Sequence, residues 1–183
     1  MDLVGQRGGS VIQHTFRESL AFASNLGVRE QLDELYRTAL FPGATVTDLA
    51  LLGKHEQHRG DVRVTLRGAH DTRKSYTLEE KIRDARFAPT DLLIETTSAA
   101  QFETAGWVYT SEADWIVYAR VADGSLCSAL LLPFEPLQRW FVTTDPRRFE
   151  QRSADNGSYR TLFRIVPLAE VPIVKRWLLE PTA

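Results

Sequence analysis

The sequence predicts an α/β (α+β) chain, a mixed central β-sheet flanked by helices, and three observations carry that reading. Apolar residues recur at helical spacing between His14 and Leu40, the period changes to two from Asp61 onward, and the run Ala113 to Val121 is apolar on both faces. Helices at both ends around strands of mixed character define the class.

Each element follows in order. His14 to Leu26 and Val28 to Leu40 read as two helices, with Phe16, Leu20 and Ala23 on one face of the first and Leu32, Leu35, Tyr36 and Leu40 on one face of the second. Gly27 marks the break between them and Pro42-Gly43 the stop. Asp61 to Leu66 alternates, with Val62, Val64 and Leu66 on one face and Asp61, Arg63 and Thr65 on the other. The turn-rich Gly68 to Lys74 leads into Ser75 to Arg83, so the two segments predict a hairpin. Asp91 to Thr97 reads as a short strand and Ala113 to Val121 as a strand buried on both faces. Asp123-Gly124 is a hairpin turn into a strand at Ser128 to Phe134. A short helix near Glu135 to Phe141, a polar loop at Asp155 to Ser158, a strand at Tyr159 to Val166 and a terminal helix up to Leu179 complete the chain. Residues 1–13 read as a flexible N-terminal arm and residues 14–183 as one domain.

Composition narrows the function classes. At 183 residues, 43% hydrophobic and 25% charged, the chain supports one hydrophobic core and excludes disordered or low-complexity readings. The longest aliphatic run, Ala129 to Leu132, is far short of a membrane span, and the N-terminus lacks a secretory apolar block, so the expectation is a cytoplasmic protein with no membrane partner. Cys127 is the single cysteine, which excludes an intramolecular disulfide and reads as a small buried apolar residue. A net charge of -2 excludes gripping nucleic acid by bulk attraction. Two stretches are nonetheless locally basic: Lys54 to Arg86, with nine Lys or Arg against six acids, and Arg147 to Arg164, with five arginines against two acids. Such stretches suit a local phosphate-binding surface.

The second hairpin strand carries the candidate chemistry. Its pleat sets Tyr76, Leu78 and Ile82 on the apolar face and Thr77, Glu79, Lys81 and Arg83 on the other, so a carboxylate and an ammonium project side by side. Asp61, opening the preceding strand, brings a second carboxylate to the same end. Two carboxylates suit a hard cation such as Mg²⁺, with Mn²⁺ as substitute, and a neighbouring lysine suits charge building on phosphorus. Glu80 falls among the apolar residues, where it needs a partner such as an arginine from a covering helix. A register slip of one residue would turn Glu80 to the site and remove Glu79 and Lys81 from it. Other signals are set aside: His55 and His58 are three apart rather than the four a zinc-protease helix requires, and serine-elbow and phosphate-loop motifs are absent. Among the tryptophans, only Trp107 suggests a base-stacking surface near the site.

An Asp opening one strand, followed on the next by Glu79-Glu80-Lys81, resembles the PD-(D/E)XK, or restriction-endonuclease-like, nuclease superfamily. The wider pattern is similar to nuclease-like proteins of phages and prophages. It runs through Phe16 to Leu20, Gln57 to Asp61, Glu79 to Arg83, Leu93 to Glu95, Gly106-Trp107, Asp114 to Tyr118 and Leu132 to Phe134. Gly60 stands where the motif's name has Pro. The resemblance implies a restriction-endonuclease-like fold and a Mg²⁺-dependent endo- or exonuclease in which Asp61 and Glu79 are metal ligands and Lys81 is the catalytic lysine. It also implies Glu18 as an additional metal ligand, Gln57 near the site and Glu95 as a weaker acidic candidate. Arg59, Arg63, Arg83, Arg147, Arg148 and Arg152 are the expected phosphate contacts. The expected partner is nucleic acid, DNA before RNA, in a host cytoplasm if phage-encoded, with a homodimer the arrangement that would cut both strands. The alternative is a catalytically inactive nucleic-acid- or protein-binding module of the same fold.

Overall fold

A computed structural model describes residues 26–52, 59–85, 90–172 and 175–178, for the last of which the backbone alone is described. The first helical expectation, His14 to Leu26, and the N-terminal arm lie outside the described residues, apart from Leu26 itself. Helix α1 (Leu26–Leu35) continues through a π-helical turn (Tyr36–Leu40) and stops before Pro42-Gly43, as expected. Gly27 is the second described residue of α1, and the residues before Leu26, where the expected break would be judged, lie outside the described residues. Val28, Leu32, Leu35 and Tyr36 are buried along one side of it, each worth about 1.5–3 kcal/mol.

The strands form two sheets. The six-stranded sheet contains β1 (Thr45–Asp48), β2 (Val62–Arg67), β3 (Arg73–Asp84), β6 (Trp115–Ala122), β7 (Ser125–Pro133) and β10 (Lys175–Leu178), in the order β1-β2-β3-β6-β7-β10. Among the described strands of this sheet, only the β3–β6 pair is parallel. The four-stranded antiparallel sheet contains β4 (Asp91–Ala99), β5 (Thr104–Ala105), β8 (Glu150–Asp155) and β9 (Arg160–Pro167), in the order β5-β4-β9-β8. The class is therefore mixed α/β with mostly antiparallel strands.

Two cores lie on opposite faces of the larger sheet. On one side, α1 covers Val62, Val64, Leu78, Val117 and Ala119. On the other, Ile116, Tyr118, Leu130 and Leu132 pack with Leu92, Ile94 and Val166 of the smaller sheet and with Phe134, Leu137 and Phe141 of α3 (Phe134–Thr143). A helix thus covers one face, and a second sheet together with α3 covers much of the other, so helices do flank the larger sheet while the smaller sheet is an addition to what was expected. Strand β6 is buried along nearly its whole length, as its composition requires. The turn to β7 holds both Asp123 and Gly124 at positive φ, the conformation a two-residue hairpin needs.

Among the described residues the expected terminal helix is absent. After a short 3-10 turn (Leu168–Glu170), β10 pairs antiparallel with β7, Lys175 opposite Leu131. Pro172 and the β-branched Val171, Ile173 and Val174 disfavour a helix, and the free edge of β7 supplies hydrogen-bond partners. Strands β1 and β8 were also not expected; β1 is only four residues long, and β8 is polar and largely exposed. Cys127 is half-buried, not buried. Among the described residues no helix is long and apolar enough to cross a membrane.

Candidate active site

The β2–β3 hairpin places the site. Its register, Val62 opposite Leu78 and Arg63 opposite Thr77, sets Asp61 beside Glu79, and the Asp61 backbone N–H donates to Leu78 O at 2.8 Å. Gly60 makes this close entry possible. Its φ is +133°, and a Cβ there would lie 2.7 Å from Leu78 O, so a side chain would push Asp61 away from β3. Because Val62 and Leu78 point into the α1 core, Asp61, Glu79 and Lys81 emerge together on the opposite face.

Glu80 fixes which residues face which way. Its carboxylate accepts from Tyr36 Oη at 2.5 Å and from Arg29 Nη1 at 2.6 Å, beneath α1. Glu80 is 9% exposed and Arg29 28%. The arginine from a covering helix that the pleat requires is Arg29. The buried Tyr36 hydroxyl is held well above the usual tyrosine range, first by desolvation and then by the Glu80 carboxylate. A one-residue slip would tear Glu80 from both partners, so the pair locks the register that presents Glu79 and Lys81.

On the site face, Lys81 Nζ donates to Glu79 Oε1 at 2.5 Å, the two side chains being 19% and 14% exposed. Lys81 Nζ also lies 5.5 Å from the centroid of the Trp107 ring. Trp107 opens the short helix α2 (Trp107–Thr110) and is buried in the second core against Phe134. That corrects its reading as a base-stacking surface: the ring backs the lysine instead. Ser111, directly after α2, donates to Glu79 Oε2 at 3.3 Å. Asp114 accepts from the backbone N–H of Thr77 at 2.7 Å and its hydroxyl at 3.1 Å, tying the entry of β6 to β3.

Asp61 Oδ2 accepts from the Glu80 backbone N–H at 2.7 Å. Desolvation of its carboxyl by the surrounding chain, and then the nearby Glu79 carboxylate, push its pKa from 3.8 up to about 6; the Glu80 N–H and Lys81 pull the other way. Asp61 as a residue is exposed, so water screens part of the effect. The sign is set by the folded state holding the proton more tightly. This contribution to stability is complete below the unfolded value of 3.8 and is lost as pH rises through about 6, leaving an ionised Asp61 beside Glu79 that opposes folding. Were a divalent cation to bind at Asp61, it would compete with that proton, so the rise in thermal midpoint on adding Mg²⁺ would be larger at about pH 8 than at about pH 5 and absent in Asp61→Asn; an equal rise at both pH values in that variant and the parent chain would contradict such binding.

The donor set fits a hard cation in part. Two carboxylates on one face suit Mg²⁺, which keeps several waters and takes one or two carboxylates from protein. Among the described residues no group of three or more His, Cys, Asp or Glu is placed to hold a metal ion. Glu18 and Gln57 lie outside the described residues. Glu95 is on β4 in the smaller sheet, where it accepts from Ser98 Oγ at 2.5 Å.

The arginines divide. Arg59 and Arg63 line a cavity on the same face as Asp61 and Glu79, and Arg83 follows Lys81 on that face. Arg147 pairs with Asp145, Arg148 with Glu170 and Arg152 with Glu150, so these three arginines are matched locally by acids. The sequence reading missed Ser111 as a contact to Glu79 and Asp114 as a brace on Thr77. The available signal was position: both lie in the short segment leading into the apolar strand β6, whose entry had to dock on β3. No family model, curated protein or solved structure matches this chain.

Proposed function

We propose that this protein is a metal-dependent nuclease that hydrolyses a phosphodiester bond of nucleic acid at the face formed by Asp61, Glu79 and Lys81. The single observation that carries this reading is their convergence on one face of the β2–β3 hairpin, in a register held by Glu80 beneath α1. A charged strand without a function has no need of two adjacent carboxylates, one with its pKa raised to about 6 beside the other, together with a lysine.

Hydrolysis requires a water oxygen to attack phosphorus, the bond to the leaving oxygen to break, and that oxygen to take up a proton. Asp61 and Glu79 would hold a divalent cation, which when bound acidifies water and polarises phosphoryl oxygens. Lys81, on the same face, would offset charge growing on those oxygens and orient the attacking water. Ser111 holds Glu79, and the Trp107 ring faces the Lys81 ammonium, which limits the reorganisation needed. Arg59 and Arg63 lie where they can meet the backbone of the bound strand without reading its sequence.

A cleavage panel of plasmid, linear duplex, single-stranded DNA and RNA tests the reading, with Mg²⁺ or Mn²⁺ against a chelator and Glu79→Ala as control. Metal-dependent cleavage of at least one substrate, lost in Glu79→Ala, is the expected result. Nucleic-acid binding without cleavage of any substrate would favour a binding module of the same fold.

A further inference from the structure

A cavity of about 400 Å³ opens beside the candidate site, lined by Arg59, Arg63, Ser75, Thr77, Glu112 and Asp114. Its construction follows from the sheet order. Strand β3 supplies the floor through Ser75 and Thr77. Arg63 stands on the β2 side, opposite Thr77 in register, with Arg59 just before that strand. Glu112 and Asp114 stand on the other side, in the segment entering β6, where Asp114 N donates to Thr77 O at 3.0 Å. The row Arg63, Thr77, Asp114 is therefore parallel to the row Asp61, Glu79, Ile116 and lies two residues from it along the strands, roughly 7 Å.

The two walls differ in charge. Guanidinium groups on the β2 side suit phosphate oxygens, since their planar forks match oxyanions. Carboxylates on the β6 side repel a bare phosphate but accept hydrogen bonds from an amino-bearing base edge, as they do from the cytosine N4 amino group. A nucleotide satisfies both walls at once, and the volume lies in the range of small-molecule sites. Ser111 touches Glu79 while Glu112 and Asp114 wall the cavity, so one short segment joins the two places.

We propose that this cavity is a nucleotide subsite, taking the unit next to the reacting phosphodiester with its phosphate at Arg59 and Arg63 and an amino-bearing base at Glu112. The inference rests on the nuclease reading for its place in a strand, but its binding chemistry is measurable without cleavage. The full chain, free of divalent cation, is titrated by calorimetry with dCMP, dUMP and inorganic phosphate. These two nucleotides differ in what the base presents to Glu112, an amino group or a carbonyl.

The expected result is dCMP binding about tenfold tighter than dUMP, with inorganic phosphate weaker than either. Glu112→Ala removes the difference between the nucleotides, and Arg59→Ala weakens both together; both residues are exposed, so neither change threatens the fold. Equal binding of dCMP and dUMP, binding of phosphate as tight as dCMP, or no nucleotide binding overturns the subsite. Selective dCMP binding in a chain that cleaves nothing sinks the nuclease reading alone. Cleavage without dCMP preference sinks the subsite alone.

Discussion

Lys81→Ala is expected to lower phosphodiester cleavage by at least about a hundredfold, the scale on which losing one preorganised charge at a reacting oxyanion acts. The lysine has no other large task. Its ammonium faces the Trp107 ring and neutralises Glu79, but both side chains keep some exposure, so the fold survives its removal. Lys81→Met separates the two contributions, since it keeps the stem and removes the charge. Cleavage assays should show both variants inactive, while circular dichroism shows the Met variant folded with a thermal midpoint close to the parent. Full activity in either variant would remove the mechanism. Loss of activity together with loss of fold in both would instead make Lys81 a structural residue.

The second large effect falls on stability. Arg29→Ala leaves the Glu80 carboxylate beneath α1 without its cationic partner, the Tyr36 hydroxyl still donating to it. Breaking a buried pair from one side costs about 3–5 kcal/mol, and the lower end applies because Arg29 keeps 28% of its side chain in water. Urea unfolding measures it. Tyr36→Phe should cost less, about 1.5–3 kcal/mol, one donor lost from a carboxylate that still has Arg29. The double variant Arg29→Met with Glu80→Leu should recover most of the loss, because an apolar pair removes the uncompensated charge. If Arg29→Ala were neutral, Glu80 would not be held beneath the helix, and the register presenting Glu79 and Lys81 would lose its lock. Activity in the double variant is informative too. The acids and lysine stay on the open face, so cleavage should persist even though the buried charges are gone.

The candidate site was legible to an unusual extent because it sits on a hairpin. Period-two alternation in Val62, Val64 and Leu66 and in Tyr76, Leu78 and Ile82 assigns the opposite residues to one shared face, and only the pleat is needed to reach that conclusion. Even the misfit was informative. Glu80 among apolar neighbours demanded a cationic partner, and Arg29 answers it. The failures lie where local pattern carries little signal. Strand β8 has no apolar face of its own and exists through its ladder with β9. The stretch after Pro167 has enough apolar residues for a short helix, but the open edge of β7 recruits it as β10.

What the amino-acid order determined by itself is the face of each strand, the hairpin, the turn at Asp123-Gly124 and the three residues that share a surface. These follow from the alternation of side chains along an extended backbone, a local property. Tertiary structure alone decided that a second sheet covers the far face, that Trp107 backs Lys81 instead of standing open, and that Ser111 and Asp114 reach β3. Those contacts join residues more than twenty positions apart, and which of many sterically allowed partners meet is fixed only when both cores bury their apolar surface together.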